Sequence, residues 1–84
     1  MVDLVYLARL REAFGRSRER VELPRDIGTV ASLLSWLRQR GGVWAHELAP
    51  TRAIRVAVNH DLAQSETPIK ADDEVALFPP VTGG

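Results

Sequence analysis

The sequence predicts a two-layer α+β domain, one sheet with one main helix across a single face. Two patterns predict it. Val30, Leu33, Leu34 and Leu37 recur at i, i+3, i+4 and i+7, the apolar stripe of an amphipathic helix. On either side lie short runs that alternate with period two and are separated by turn residues, as strands do.

The first expected strand spans 4–10, with Leu4, Tyr6, Ala8 and Leu10 on one face and Val5, Leu7 and Arg9 on the other. Ala13-Phe14-Gly15 punctuates it. A weaker strand over 17–23 carries Val21 and Leu23, and Pro24 ends it. These two are near neighbours, so antiparallel pairing is the simplest arrangement. Thr29 is a good N-cap for the helix, Arg38 and Arg40 suit its negative end, and Gly41-Gly42 supplies the stop. Residues 43–48 suit one further short turn. Ile54, Val56 and Val58 alternate as a strand, Asn59-His60-Asp61 has turn chemistry, and 62–64 reads as a short edge piece. Ala71-Asp72-Asp73 turns into a last strand over 74–78. There Val75 and Leu77 face one way, and Ala76 and Phe78 the other.

Eighty-four residues make one domain with little room for a deep pocket. Eleven basic and eleven acidic residues cancel, which leaves no electrostatic footprint for nucleic acid and no basic block for an anionic membrane. Cysteine is absent, which excludes a disulfide scaffold, a thiolate metal site and a cysteine nucleophile. The first residues lack a secretory signal and no run approaches a membrane span, so the expected location is the cytoplasm. His46 and His60 have no second ligand at metal spacing, and Asp72-Asp73-Glu74 reads as a solvated turn; no metal is expected. The folded body shows no catalytic signature.

The chain ends on Gly83-Gly84, a dipeptide that average glycine usage would place there by chance about 0.5% of the time. An α-carboxyl with a reference pKa of roughly 3.3–3.7 is ionised at neutral pH, and becomes an acyl donor only after activation. Glycine admits close approach to that carbon because it has no Cβ. Pro79-Pro80 ends sheet pairing and stiffens the exit, so four extended residues, Val81 to Gly84, reach about 13–14 Å beyond it. The expected division is a body over 1–80 and an extended tail over 81–84.

The run from Asp73 to Gly84, DEVALFPPVTGG, resembles the C-terminal signature of the small subunits of molybdopterin synthase, the sulfur carriers of molybdenum-cofactor synthesis. Ala8-Arg9-Leu10-Arg11-Glu12, Thr29-Val30 and Val56-Ala57-Val58-Asn59 extend the likeness along the whole chain. The resemblance implies a ubiquitin-like β-grasp fold and a carrier with no bound cofactor and no catalysis of its own. An ATP-dependent activating enzyme would adenylate Gly84, and a persulfide donor would convert it to a thiocarboxylate. Val81, Thr82 and Gly83 would then enter the large synthase subunit, where the sulfur passes to cyclic pyranopterin monophosphate. Two carriers on a dimer of large subunits make the implied heterotetramer. The family's docking patch maps by position onto Leu7, Leu62 and Phe78, with Arg11 as a rim charge. Strand parity agrees for Leu7 and Phe78, because Tyr6 and Leu77 occupy the inward phase.

Three other readings share these features. One is a carrier for thiamin thiazole synthesis or tRNA thiolation. Another is a ubiquitin-like modifier joined to lysines. The third is a plain binding module indifferent to loss of Gly83-Gly84. The Phe-Pro-Pro-Val-Thr run and the length favour the molybdopterin carrier.

Overall fold

The computed structural model describes residues 1–80; the expected tail, Val81 to Gly84, lies outside them. The elements run β1 (Val2–Tyr6), α1 (Arg9–Phe14), β2 (Arg18–Val21), α2 (Val30–Arg38), α3 (Gly42–Glu47), β3 (Arg55–Val58), β4 (Asp61–Leu62) and β5 (Glu74–Phe78). The five strands form one mixed sheet in the order β2-β1-β5-β3-β4. Its two central strands, β1 and β5, are parallel, and the other pairings are antiparallel. This is a two-layer α+β domain, as the sequence patterns predict, in the ubiquitin-like β-grasp arrangement that the resemblance implies.

Alternation decides which side of each strand meets α2. Leu4, Tyr6, Val75 and Leu77 point inward and are fully buried, joined by Val2, Val56 and the helix residues Val30, Leu33 and Leu37. The helix start is fully satisfied. Ser32 N–H donates to Thr29 Oγ1 at 3.2 Å, and Thr29 N–H donates to Ser32 Oγ at 3.0 Å. Val30 and Ala31 N–H donate to the carbonyls of Thr67 and Ser65 at 3.0 and 2.9 Å, which ties the loop before β5 to the helix.

Three expectations change. The first strand stops at Tyr6, because Ala8 at φ 54° turns the chain into α1. Leu10 therefore reaches the core from a helix, one turn before Phe14, and Arg11 sits on that helix rather than in a strand and turn. Tyr6, Leu10 and Phe14 fit period two and a four-residue helical step alike, so spacing could not separate the readings. The second strand is shorter than 17–23. Finally, α2 ends at Arg38, so Arg40 is not in its last turn; Gly41 at φ 77° donates its N–H to Arg38 O at 3.0 Å, closing α2 as expected, and also opens α3.

Arg40 has another task. Its guanidinium makes two hydrogen bonds to Glu19, at 2.8 and 3.2 Å, and lies 4.4 Å from the Trp44 ring centroid. Trp44 stacks on Phe14 with centroids 3.8 Å apart, and the Tyr6 hydroxyl donates to the same Glu19 carboxylate. Burial, with the hydrogen bond to Glu19, pushes the Tyr6 phenol above its ordinary pKa, so it remains a donor. Burial also disfavours the Glu19 carboxylate, but hydrogen bonds from Arg40 and Tyr6 outweigh it and hold the pKa below 4.5. The folded carboxyl is then the stronger acid. Its contribution is complete above the unfolded value and is lost as pH falls through the folded one.

Glu19→Gln should cost about 1–3 kcal/mol at neutral pH. Its thermal midpoint should converge on that of the parent as pH falls through the lowered Glu19 pKa, where the parent's advantage is lost. Calorimetry across pH 3–7, with Asp73 common to both chains, checks this (experimental range set by roughly the carboxyl reference values). A second test concerns the β3–β4 turn, where Asn59 and His60 both have positive φ, 51° and 74°. Such a two-residue turn favours Asn-Gly. His60→Gly should therefore raise stability by about 0.5–1 kcal/mol, read as a higher urea midpoint.

Candidate functional site: the open face of the sheet

The sheet face away from α2 is uncovered, and the strand registers place its side chains in rows. One row runs Arg18, Val5, Ala76, Ala57, Leu62 across all five strands. A second places Arg55 opposite Phe78. Leu7 extends that row on the other side, since its N–H donates to Leu77 O at 3.1 Å and continues the β1–β5 ladder. A third row pairs Asp3 with Arg20 and with Glu74.

These rows bring Leu7, Phe78 and Leu62, expected as partner contacts, onto one face. Leu7 is 43% and Leu62 71% exposed, and Phe78 is half-buried between them in strand order. Arg11 is exposed on α1, which follows directly from Leu7, and makes no ion pair among the described residues. Val5, Ala76, Ala57 and Arg55 complete the face. Sequence reasoning gave their parity but could not set their strands side by side.

Charge divides the face along its length. At the start of β5, Arg18 meets Glu74 at 3.5 Å, Arg20 lies 3.8 and 3.3 Å from Asp3 and Asp72, and His60 lies 3.5 Å from Glu74. Nearby, the Lys70 N–H and the Asn59 amide donate to Asp73 at 2.7 and 2.9 Å and hold its pKa below the ordinary value. Toward the end of β5 the face becomes apolar, with Leu7 and Phe78 followed by Pro79 and Pro80. Proline has no N–H to extend the ladder, so pairing stops where the chain leaves the sheet. An exposed apolar surface between a band of paired charges and the unpaired Arg55 and Arg11 (among the described residues) is what one protein offers another. The expected inserted tail, Val81, Thr82 and Gly83, and the expected sulfur-bearing Gly84 lie outside the described residues.

Among the described residues no group of three His, Asp or Glu side chains is placed to hold a metal ion. None of their helices is long and apolar enough to cross a membrane. The displaced pKa values at Tyr6, Glu19 and Arg40 belong to one ion-pair network that runs from the buried Tyr6 to the exposed Arg40, not to a cleft that could receive substrate.

Because Leu62 contributes nothing to the core, Leu62→Ser should change unfolding free energy by less than about 0.5 kcal/mol. Leu77→Ala, fully buried one residue before Phe78, should cost about 2–5 kcal/mol. Urea denaturation of both variants measures the contrast.

Residues 4–84 match the ThiS family. Two curated relatives, from Haemophilus influenzae and Escherichia coli, are each called molybdopterin synthase sulfur carrier subunit. They are 36% and 34% identical over 84 residues, covering 100% of this chain and 100% of each relative. The solved structure of SAMP1 from Haloferax volcanii aligns with a TM-score of 0.71 at 32% identity, covering 99% of this chain and 98% of that one.

Proposed function

The chain belongs to the ThiS family, and we propose that it is the sulfur carrier subunit of a molybdopterin synthase. The observation that carries this reading is the full-length match to two subunits of that name, joined by a family match that runs through Gly84. In this reading the body, residues 1–80, docks and the segment 81–84 carries the chemistry. An activating enzyme transfers AMP from ATP to the Gly84 carboxylate and releases pyrophosphate. The terminal sulfur of a donor persulfide displaces AMP, and a second thiol cleaves the resulting acyl disulfide, leaving the thiocarboxylate and a disulfide between the two donor sulfurs. Val81, Thr82 and Gly83 then enter the large subunit, whose residues perform the transfer to cyclic pyranopterin monophosphate. Two carriers serve one dimer of large subunits.

The open face supports this division of labour. Leu7 and Phe78 border the point where the chain leaves the sheet at Pro79 and Pro80, so a partner bound over them sits beside that exit. Leu62 widens the apolar contact and Arg11 offers a rim charge. Rim charges act on association rate more than on affinity.

Incubation with ATP, the cognate activating enzyme and a persulfide donor should raise the intact mass by one oxygen-to-sulfur exchange. Deletion of Gly84 should abolish the shift. An unchanged mass, with the enzyme active on another carrier, would defeat the proposal. Leu7→Asp and Phe78→Ala should each weaken capture by the large subunit about 10- to 100-fold, read as Kd by calorimetry, with the circular dichroism spectrum preserved.

A further inference from the structure

Two adjoining hollows lie between α2, the turn that leads into β3 and residues 63–65, and no aspartate or glutamate lines either. We infer that they form a site for a small phosphate-bearing anion, whose phosphate group sits on the guanidinium groups of Arg38 and Arg52.

Pairing singles these arginines out. Arg9, Arg16, Arg18, Arg20 and Arg40 each lie within ion-pair distance of a carboxylate. Among the described residues Arg38, Arg52 and Arg55 have no such partner, and all three line the hollows. Arg38 and Arg52 are half-buried, so two charges are partly withdrawn from water without a counter-ion. That favours an incoming anion, because charge attraction strengthens where water is excluded. The acids nearest in the chain do not compete. Glu47 is taken by Arg9 at 3.3 Å, and Glu66, beside Ser65, is exposed and lines neither hollow.

The walls are held in place by the protein itself. Arg38 donates one N–H to Leu48 O at 2.9 Å, which fixes the guanidinium and leaves further donors of its fork for a ligand. The Arg52 N–H donates to Ala49 O at 2.9 Å and closes the turn before β3. Across the hollow, Ala31 N–H donates to Ser65 O at 2.9 Å and ties that residue to α2. Ser65 lines both hollows and adds a hydroxyl donor.

The donor set selects phosphate. Guanidinium forks match phosphate oxygens in pairs, and two of them suit a dianion better than a single carboxylate. The hollow lined by Arg38 and Arg52 holds about 240 Å³, and the one lined by Arg55 about 380 Å³. They share Leu34, Ile54 and Ser65, so a ligand can extend from one into the other. The second also has Gln64 in its wall, which suits a polar organic body on the phosphate.

Inorganic phosphate and glycerol phosphate, with glycerol as the uncharged control, are titrated into the full-length ¹⁵N-labelled chain at constant ionic strength. Saturable shifts at the Leu34, Arg52, Ile54 and Ser65 amides are expected with both phosphates and absent with glycerol. Equal affinities would assign the site to the phosphate group alone, and a tighter ester would add its organic body; both support the inference. Arg38→Gln and Arg52→Gln should each weaken binding about tenfold. Arg25→Gln, which lines neither hollow, should leave it unchanged. Should Arg38→Gln unfold the chain by losing its bond to Leu48, Arg52→Gln still decides. Shifts that do not saturate and spread equally to Arg11 and Arg25, or unchanged affinity in Arg52→Gln, would overturn the inference. So would a glutamate-rich peptide that binds the same amides more tightly than glycerol phosphate, which would give the hollows to a partner protein. Phosphate binding seen only after residues 81–84 are removed would assign the arginines to the chain's own end and overturn it too. The sulfur exchange at Gly84 is read separately by mass, so either reading can fail while the other stands.

Discussion

The parallel register between β1 and β5 is the constraint on which the rest depends. Asp3 to Tyr6 run beside Glu74 to Leu77 one for one, and the two strands form the middle of the sheet. In that register Leu4, Tyr6, Val75 and Leu77 all face α2 and lose all contact with water. Slipping either strand by one residue would turn its inward pair outward and bring Val5 or Ala76 inside. The same register sets Leu7 beside Phe78 on the uncovered face. Core and open face are thus two sides of one pairing, and neither can be moved without the other.

A second constraint closes the end of this small core. Glu19 collects the Tyr6 hydroxyl and the Arg40 guanidinium, and Arg40 covers the Trp44–Phe14 stack. A chain of this size has few large side chains to spend on a core. Using a satisfied ion pair as a lid lets α1 and α3 pack without further apolar residues. Breaking such a pair by removing one partner leaves a poorly solvated charge, which is why its members act as a unit.

The two sheet edges show how placement, rather than composition, separates surfaces. Balanced totals predict no strong field, yet the arginines of β2 face carboxylates while those near β3 do not. Net charge is a sum and carries no information about pairing. Pairing depends on which strands are neighbours, and that is a property of the assembled sheet.

The sequence by itself determined the α+β class, the helix and its Thr29 cap, the β3–β4 turn and the inward phase of the last strand, because each is a local periodicity or a local hydrogen bond. The parity that turns Leu7 and Phe78 outward was legible for the same reason. Only the tertiary structure decided that the first strand stops at Tyr6 and hands Leu10 to a helix, since both periodicities fit those residues. It alone gave Arg40 to Glu19 and set Arg55 and Leu62 on the same face as Phe78. Glu19 and Arg40 are 21 positions apart and Arg55 and Phe78 are about as distant, close only because β1 and β5 bring their neighbours together. Local pattern fixes which way a side chain points, and sheet order fixes what it points toward.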